Sequence, residues 1–269
     1  MASQPVALIT GASSGIGQAT AQLLAAHGFA VFGTSRTPDR PARGYALLPL
    51  DVRSEAAATA VVQSVLARAG QIDLLVNNAG YAQSGAIEEN SIAEVQAQLD
   101  INLLGVLRLL KAVLPVMRRQ GRGRVINVSS VQGRIAPPYL GVYATSKFAL
   151  EGLTEALRDE VQPFGIYVSL IEPSFVKSNF VRQVPADPIA DYTSGRQGAL
   201  HFVSAGVARG VEPEAVAQVI LRAATTPRPH LRYPVGRRAY LLMLLSRLLP
   251  EPAVERVRRR VFRPQAQPY

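Results

Sequence analysis

No cysteine occurs among the 269 residues. Disulfides, thiol nucleophiles and cysteine-ligated metal sites are therefore excluded. Lysine is scarce: Lys111, Lys147 and Lys177 stand against abundant arginine. Long apolar runs are missing too. The longest purely apolar stretch near the C-terminus, residues 239–245, is far too short to span a bilayer. The first five residues, Met1-Ala2-Ser3-Gln4-Pro5, carry neither a basic segment nor a cleavage site, so a non-secreted, cytoplasmic protein is expected. With 48% hydrophobic residues, a globular fold with one substantial core is expected.

Charge is unevenly spread. The net formal charge is +10, and from Arg228 to Tyr269 ten arginines face only Glu251 and Glu255, a local +8 that leaves +2 for the rest. Such a tail fits solvated faces of terminal helices, a lid, an oligomer contact or a membrane surface. Aromatic interleaving and any recognised nucleic-acid motif are lacking, so no nucleic-acid partner is expected.

Short apolar runs alternate with helix-length amphipathic segments. Residues 6–10, 30–35, 45–50, 74–77, 124–129, 166–171 and 231–235 read as strands, and 16–27, 55–69, 92–119, 143–162 and 213–225 as helices. Apolar strands alternating with helices imply an α/β fold, a doubly wound parallel sheet of about seven strands covered on both faces. Residues 179–211, interrupted by Pro185, Pro188, Gly195, Gly198, Gly206 and Gly210, read as a loop. One domain over residues 1–235, extended by a basic helical segment at 236–269, is expected.

The first strand runs into Gly11-Ala-Ser13-Ser14-Gly15-Ile16-Gly17 and then a helix. A strand, a glycine turn and a helix N-terminus make an anion site, because free N–H groups and the helix dipole face a pyrophosphate. The second strand ends Gly33-Thr34-Ser35-Arg36, without the carboxylate that would hold a ribose 2′-hydroxyl. A guanidinium there can bind a 2′-phosphate, so NADP(H) is the expected cofactor.

Ser130, Tyr143 and Lys147 lie within eighteen residues of each other. Tyr143 and Lys147, four apart on a helix, share a face. A phenol is a poor base at neutral pH, and a nearby cation favours its ionised form.

Together these residues resemble the short-chain dehydrogenase/reductase family in its short, NADP-preferring form, from about Pro5 to Pro234. Thr10–Gly17 is similar to the family's nucleotide turn, and Asp51-Val52 to its adenine-contacting pair. Asn77-Asn78-Ala79-Gly80 is similar to the segment near the adenine ribose. Asn102 matches the asparagine that bends its helix and anchors a relay water. Ser130, thirteen residues before Tyr143, and the Tyr143-x-x-x-Lys147 pair match the catalytic set.

The resemblance implies a Rossmann-type fold and an alcohol dehydrogenase or carbonyl reductase that forms homo-oligomers. In that scheme Tyr143 exchanges the proton and Ser130 holds the substrate oxygen. Lys147 binds the nicotinamide ribose and lowers the tyrosine pKa, and Asn102 completes a proton relay. Pro173, Val176 and Ser178 belong to the nicotinamide loop, where Ser174 replaces the usual glycine and costs freedom if that position needs positive φ. Residues 143–158 are similar to the 17β-hydroxysteroid and retinol dehydrogenase branch. Val131, Leu140, Phe175, Phe180, Val181 and Phe202 are expected to wall an apolar substrate pocket. A non-catalytic NADPH-binding sensor on the same fold is the rival reading.

Overall fold

The computed structural model describes residues 4–38, 44–178, 180, 182–237, 239–241, 252–253 and 255–256. Strands β1 (Val6–Ile9), β2 (Ala30–Ser35), β3 (Ala46–Pro49) and β4 (Leu74–Asn77) are followed by a short β5 (Ala82–Gln83). Then come β6 (Gly123–Val128), β7 (Ile166–Pro173), a short β8 (Arg182–Gln183) and β9 (Arg232–Val235). Seven of them form one parallel sheet in the order β3-β2-β1-β4-β6-β7-β9, while β5 pairs with β8 apart from it.

Period-two alternation along the strands feeds two cores. Val6 and Leu8 join a cluster with Val61 of helix α2 (Glu55–Ala69), with Leu109 and with Leu157. Ala7 and Ile9 pack the other way, on Leu24 of α1 (Gly15–Ala26) and on Ile220. Both faces are thus buried, which is why the strands read as unbroken apolar runs. The order in which strands are added across the sheet reverses between β1 and β4, and ligands of such sheets lie beyond the strand ends at this switch point.

The span expected as one helix, 92–119, is three pieces. A Ser91–Glu94 capping box starts α3 (Ile92–Leu99), a π-helical turn covers Asp100–Leu104, and α4 (Gly105–Gln120) continues. The turn is centred on Asn102. Its Oδ1 accepts from the Tyr81 N–H at 3.1 Å, and its Nδ2 donates to the Tyr81 carbonyl at 3.0 Å and to Ser146 Oγ at 3.2 Å. One inserted residue turns this amide inward to pair with a backbone that has no strand partner there.

After α5 (Gly141–Val161), the expected loop at 179–211 needs correction. Sixteen of its residues form helix α6 (Thr193–Ala208), which precedes α7 (Pro213–Thr225). The glycines mistaken for breakers permit close packing instead: a Cβ on Gly195 would lie 1.8 Å from the Tyr139 hydroxyl, and one on Gly206 2.6 Å from the Phe175 ring. Tertiary contact overrides the poor helix propensity. Most of the expected basic extension, 236–269, lies outside the described residues, and no described helix is long and apolar enough to cross a membrane.

Candidate active site

A cleft of about 500 Å³ opens at the switch point. It is lined by Gly11, Ser13, Ser14, Gly15, Ile16, Ser35, Arg36, Asp51, Val52, Asn78, Ala79, Gly80, Ser130, Tyr143, Lys147, Pro173, Val176 and Ser178. Of the residues expected to act in catalysis or to hold the cofactor, Gly17 and Asn102 do not line it. Gly17 acts from behind, because a Cβ there would sit 2.2 Å from the Gly11 carbonyl oxygen and push the helix off the strand. Asn102 is spent on Tyr81 and Ser146, and Ser146 Oγ donates to the Tyr143 carbonyl at 2.7 Å, so it braces the turn that carries the tyrosine.

The nucleotide end is built by short ties. Thr10 Oγ1 accepts from the Asn78 and Ala79 N–H groups at 2.9 and 3.0 Å, and Asn78 Nδ2 donates to the Thr10 carbonyl at 2.9 Å. Gly15, at φ 53°, brings the turn opposite Ser178: a Cβ there would lie 3.3 Å from the serine's Cβ. This open cradle at a helix N-terminus, with a hydroxyl across it, fits a dinucleotide pyrophosphate. Arg36 lines the far end with Arg53, which the sequence reading missed. Arg53 holds Asp51 through two nitrogens, Nη2 at 2.6 Å and Nε at 3.0 Å, and keeps that carboxyl below its ordinary pKa.

At the other end, α5 presents Tyr143 and Lys147, both buried, on one face. Ser130 follows β6 and lines the same wall of the cleft, where its side chain opposes the rise in the Tyr143 pKa. Lys147 Nζ donates to the Val128 carbonyl at 2.8 Å and lies 5.8 Å from the Tyr143 ring centroid. Burial dominates both groups. It pushes the phenol up to about 12, against the pull of Ser130 and then of Arg182, and brings the ammonium down to about 8. Arg182, on β8, is a further cation whose charge favours the ionised phenol.

A family model described as short chain dehydrogenase matches residues 5–188. The chain belongs to the short-chain dehydrogenase family. It is 36% identical, over 90% of its own length and 91% of the relative's, to a 3-ketodihydrosphingosine reductase of Bacteroides thetaiotaomicron. It is 37% identical to human 17-beta-hydroxysteroid dehydrogenase type 1, over 92% of this chain and 82% of that one. The crystal structure of a short-chain dehydrogenase from Streptomyces avermitilis superposes with a TM-score of 0.84, at 33% identity, covering 97% of this chain and 96% of the other. As a member of this family the protein is an oxidoreductase that uses a nicotinamide cofactor.

This short-chain dehydrogenase departs from the sequence expectation in its pocket wall. Phe180 lines the cleft, its ring edge-on to Tyr143 at 6.1 Å. Phe175 and Phe202 instead pack on each other, edge-on at 5.7 Å, and hold α6 against the loop after β7. Leu140 borders a separate small cavity, Val131 starts a 3₁₀ turn beside Ser130, and Val181 lies outside the described residues. Ser174 needs no left-handed backbone, since Tyr139, at φ 61°, is the only non-glycine residue with positive φ among the described residues.

Behind Lys147 lies a polar cluster that sequence reading also missed. Glu151, one turn further along α5, accepts from Arg232 Nε at 3.0 Å, and the same nitrogen lies 3.5 Å from Glu172 of β7. Both carboxylates are buried, and burial together with the Glu151 charge raises Glu172 well above the ordinary carboxylate pKa. A helical i, i+4 spacing from the catalytic lysine was the available signal for Glu151.

Proposed function

We propose that this enzyme is an NADPH-dependent carbonyl reductase acting on an apolar ketone or aldehyde, with Tyr143 as the proton donor. The observation that carries the reading is the convergence of Ser130, Tyr143 and Lys147 on one wall of the cleft, opposite the glycine turn. Bound NADPH supplies the hydride, and every other task falls to the chain. Burial keeps Tyr143 protonated across the neutral range, which suits a donor to a developing alkoxide. Ser130, on the same wall of the cleft, holds the substrate oxygen. Lys147, fixed by Val128, is placed for the nicotinamide ribose, and Asn102 sets the geometry from behind. Phe180 provides apolar contact beside the tyrosine, and two relatives are named for a keto and a hydroxysteroid substrate.

Preference for NADPH rests on Arg36 and Arg53 at the adenosine end, where Asp51, the acid that lines the cleft among the described residues, is paired with Arg53. The test is oxidation of NADPH and NADH against a panel of hydrophobic ketones and aldehydes. Tyr143→Phe should retain NADPH binding and lose turnover by about 10²-fold or more. Arg36→Asp should move the NADPH:NADH ratio of kcat/KM toward NADH by at least about tenfold. Tight NADPH binding by wild type and Tyr143→Phe alike, with no turnover across the panel, would favour the sensor reading.

A further inference from the structure

Tyr45 stands just before β3, outside the cleft, and no motif of the sequence marks it. It is half-buried on the side of the sheet that α1 covers, packed on the cluster that holds Ala12, Leu24 and Val31. Its hydroxyl donates to the Ala12 carbonyl at 2.6 Å, across 33 positions of chain. Gly33 of β2 lies between the two: a Cβ there would sit 2.6 Å from that of Ala12 and 2.8 Å from the Tyr45 ring. The missing side chain lets the ring cross β2 and reach the nucleotide turn. Burial moves the phenol further above neutrality, so the hydroxyl stays a donor.

Ala12 opens the arc between Gly11, at φ 65°, and Gly15, at φ 53°. Glycine takes either sign of φ at little cost, so an arc hinged on two glycines is free to rotate its peptides. Its first half is tied down instead. Asn78 Nδ2 donates to the Gly11 carbonyl at 3.1 Å, the Ala12 N–H donates to the Thr34 carbonyl at 2.9 Å, and Tyr45 holds the Ala12 carbonyl. A trans peptide points its carbonyl and the following N–H in opposite directions. With the Ala12 carbonyl on Tyr45, the Ser13 N–H points away from Tyr45, and Ser13 lines the cleft whereas Tyr45 does not. The opposite orientation of that peptide would turn a carbonyl oxygen toward a phosphate and exchange an attraction for a repulsion.

We propose that Tyr45 is a positioning residue of the cofactor site, whose hydroxyl locks the peptide between Ala12 and Ser13 so that the turn offers NADPH an N–H and not a carbonyl. This deepens the NADPH reading and rests on it for the identity of the ligand. The lock is set before the cofactor arrives, so it lowers the ordering cost of binding and leaves the hydride step alone.

Dissociation constants for NADPH and NADH are measured by calorimetry on wild type, Tyr45→Phe and Val62→Ala, and KM and kcat for NADPH with any carbonyl that the panel shows to be reduced. Val62 of α2, buried on the other face of the sheet, is the control for lost stability, read as Tm. Tyr45→Phe should raise the Kd and KM for NADPH about three- to tenfold, the weight of one hydrogen bond, with kcat at saturation within about twofold. Val62→Ala should leave both constants within about twofold, because it lies far from the turn. Placing 4-aminophenylalanine at position 45, whose N–H donates where the hydroxyl did, should restore the affinity that Tyr45→Phe loses.

The proposal is overturned if Tyr45→Phe binds NADPH within about twofold of wild type. It is also overturned if Val62→Ala weakens NADPH as much for an equal fall in Tm, or if the amine fails to restore binding. Because affinity is read without turnover, a panel with no reduced carbonyl leaves the test intact. Failure of the NADPH reading looks different: wild type would bind NADH as tightly as NADPH. The lock is then read on NADH, where the same rise in Tyr45→Phe upholds it and no rise overturns it. Wild type that binds neither dinucleotide would overturn both.

Discussion

Glu172 and Glu151 meet behind Lys147 with one guanidinium, that of Arg232, between them. Each leaves an oxygen without a hydrogen-bond partner among the described residues, Oε1 in both cases, as expected when two carboxyls share one cation and burial favours a retained proton. The folded pKa of Glu172 is raised, so between its ordinary value of 4.5 and neutrality the native state binds more proton than the unfolded state. Stability from this group is present below that window and lost as pH rises through it. Glu172→Gln should therefore flatten the fall in stability between about pH 5 and 7, read as denaturant midpoints in a pH series. A variant curve parallel to wild type would show that the carboxyl carries no extra proton. Most residues that line the cleft were legible in sequence because they sit at fixed spacings after strands. Arg53, Arg182 and Glu172 were not. Their meaning depends on which partner the fold leaves beside them, and no periodicity records that.

The π-helical turn at Asp100–Leu104 does the same service for an element that a cap does for a helix end: it meets backbone groups that would otherwise be stranded. Asn102→Leu fills a similar volume but leaves the N–H of Tyr81 unpaired in a buried place, while the Tyr81 carbonyl keeps Gln98 Nε2 at 3.0 Å. The expected cost is about 1–3 kcal/mol, measured by urea unfolding. A loss under about 0.5 kcal/mol would mean that Tyr81 finds other partners. The strands and most helices could be read from apolar runs and amphipathic periods. The break at Asn102 could not, because one inserted residue barely disturbs the period. Helix α6 was misread for a different reason, since glycine signals flexibility in sequence but marks the contacts of Tyr139 and Phe175 in the fold.

Across the whole molecule, the two ends of the cleft are held very differently. The dinucleotide end is anchored on four neighbouring strands, β2, β1, β4 and β6, of the main sheet. The outer wall beside Tyr143 depends on β5 and β8, two residues each, with Ser84 donating to the Gln183 carbonyl through its N–H at 2.9 Å and its hydroxyl at 2.7 Å. Those partners lie 99 positions apart in the chain. Amide hydrogen exchange should thus divide the protein in two. The Ser84 N–H should exchange by local opening at least about 10²-fold faster than those of Leu8 and Val125, which require global unfolding. Equal rates would tie the wall to the main sheet.

The slender β5–β8 pairing also bears on inheritance. A wall fastened by so few backbone bonds can be lengthened, shortened or recharged without disturbing the strand register that the nucleotide turn depends on. Substitutions at the exposed positions of residues 183–191 should accordingly be tolerated by the fold while altering which molecules enter. A change of substrate is then a matter of exchanging one flap while the frame stays as it is.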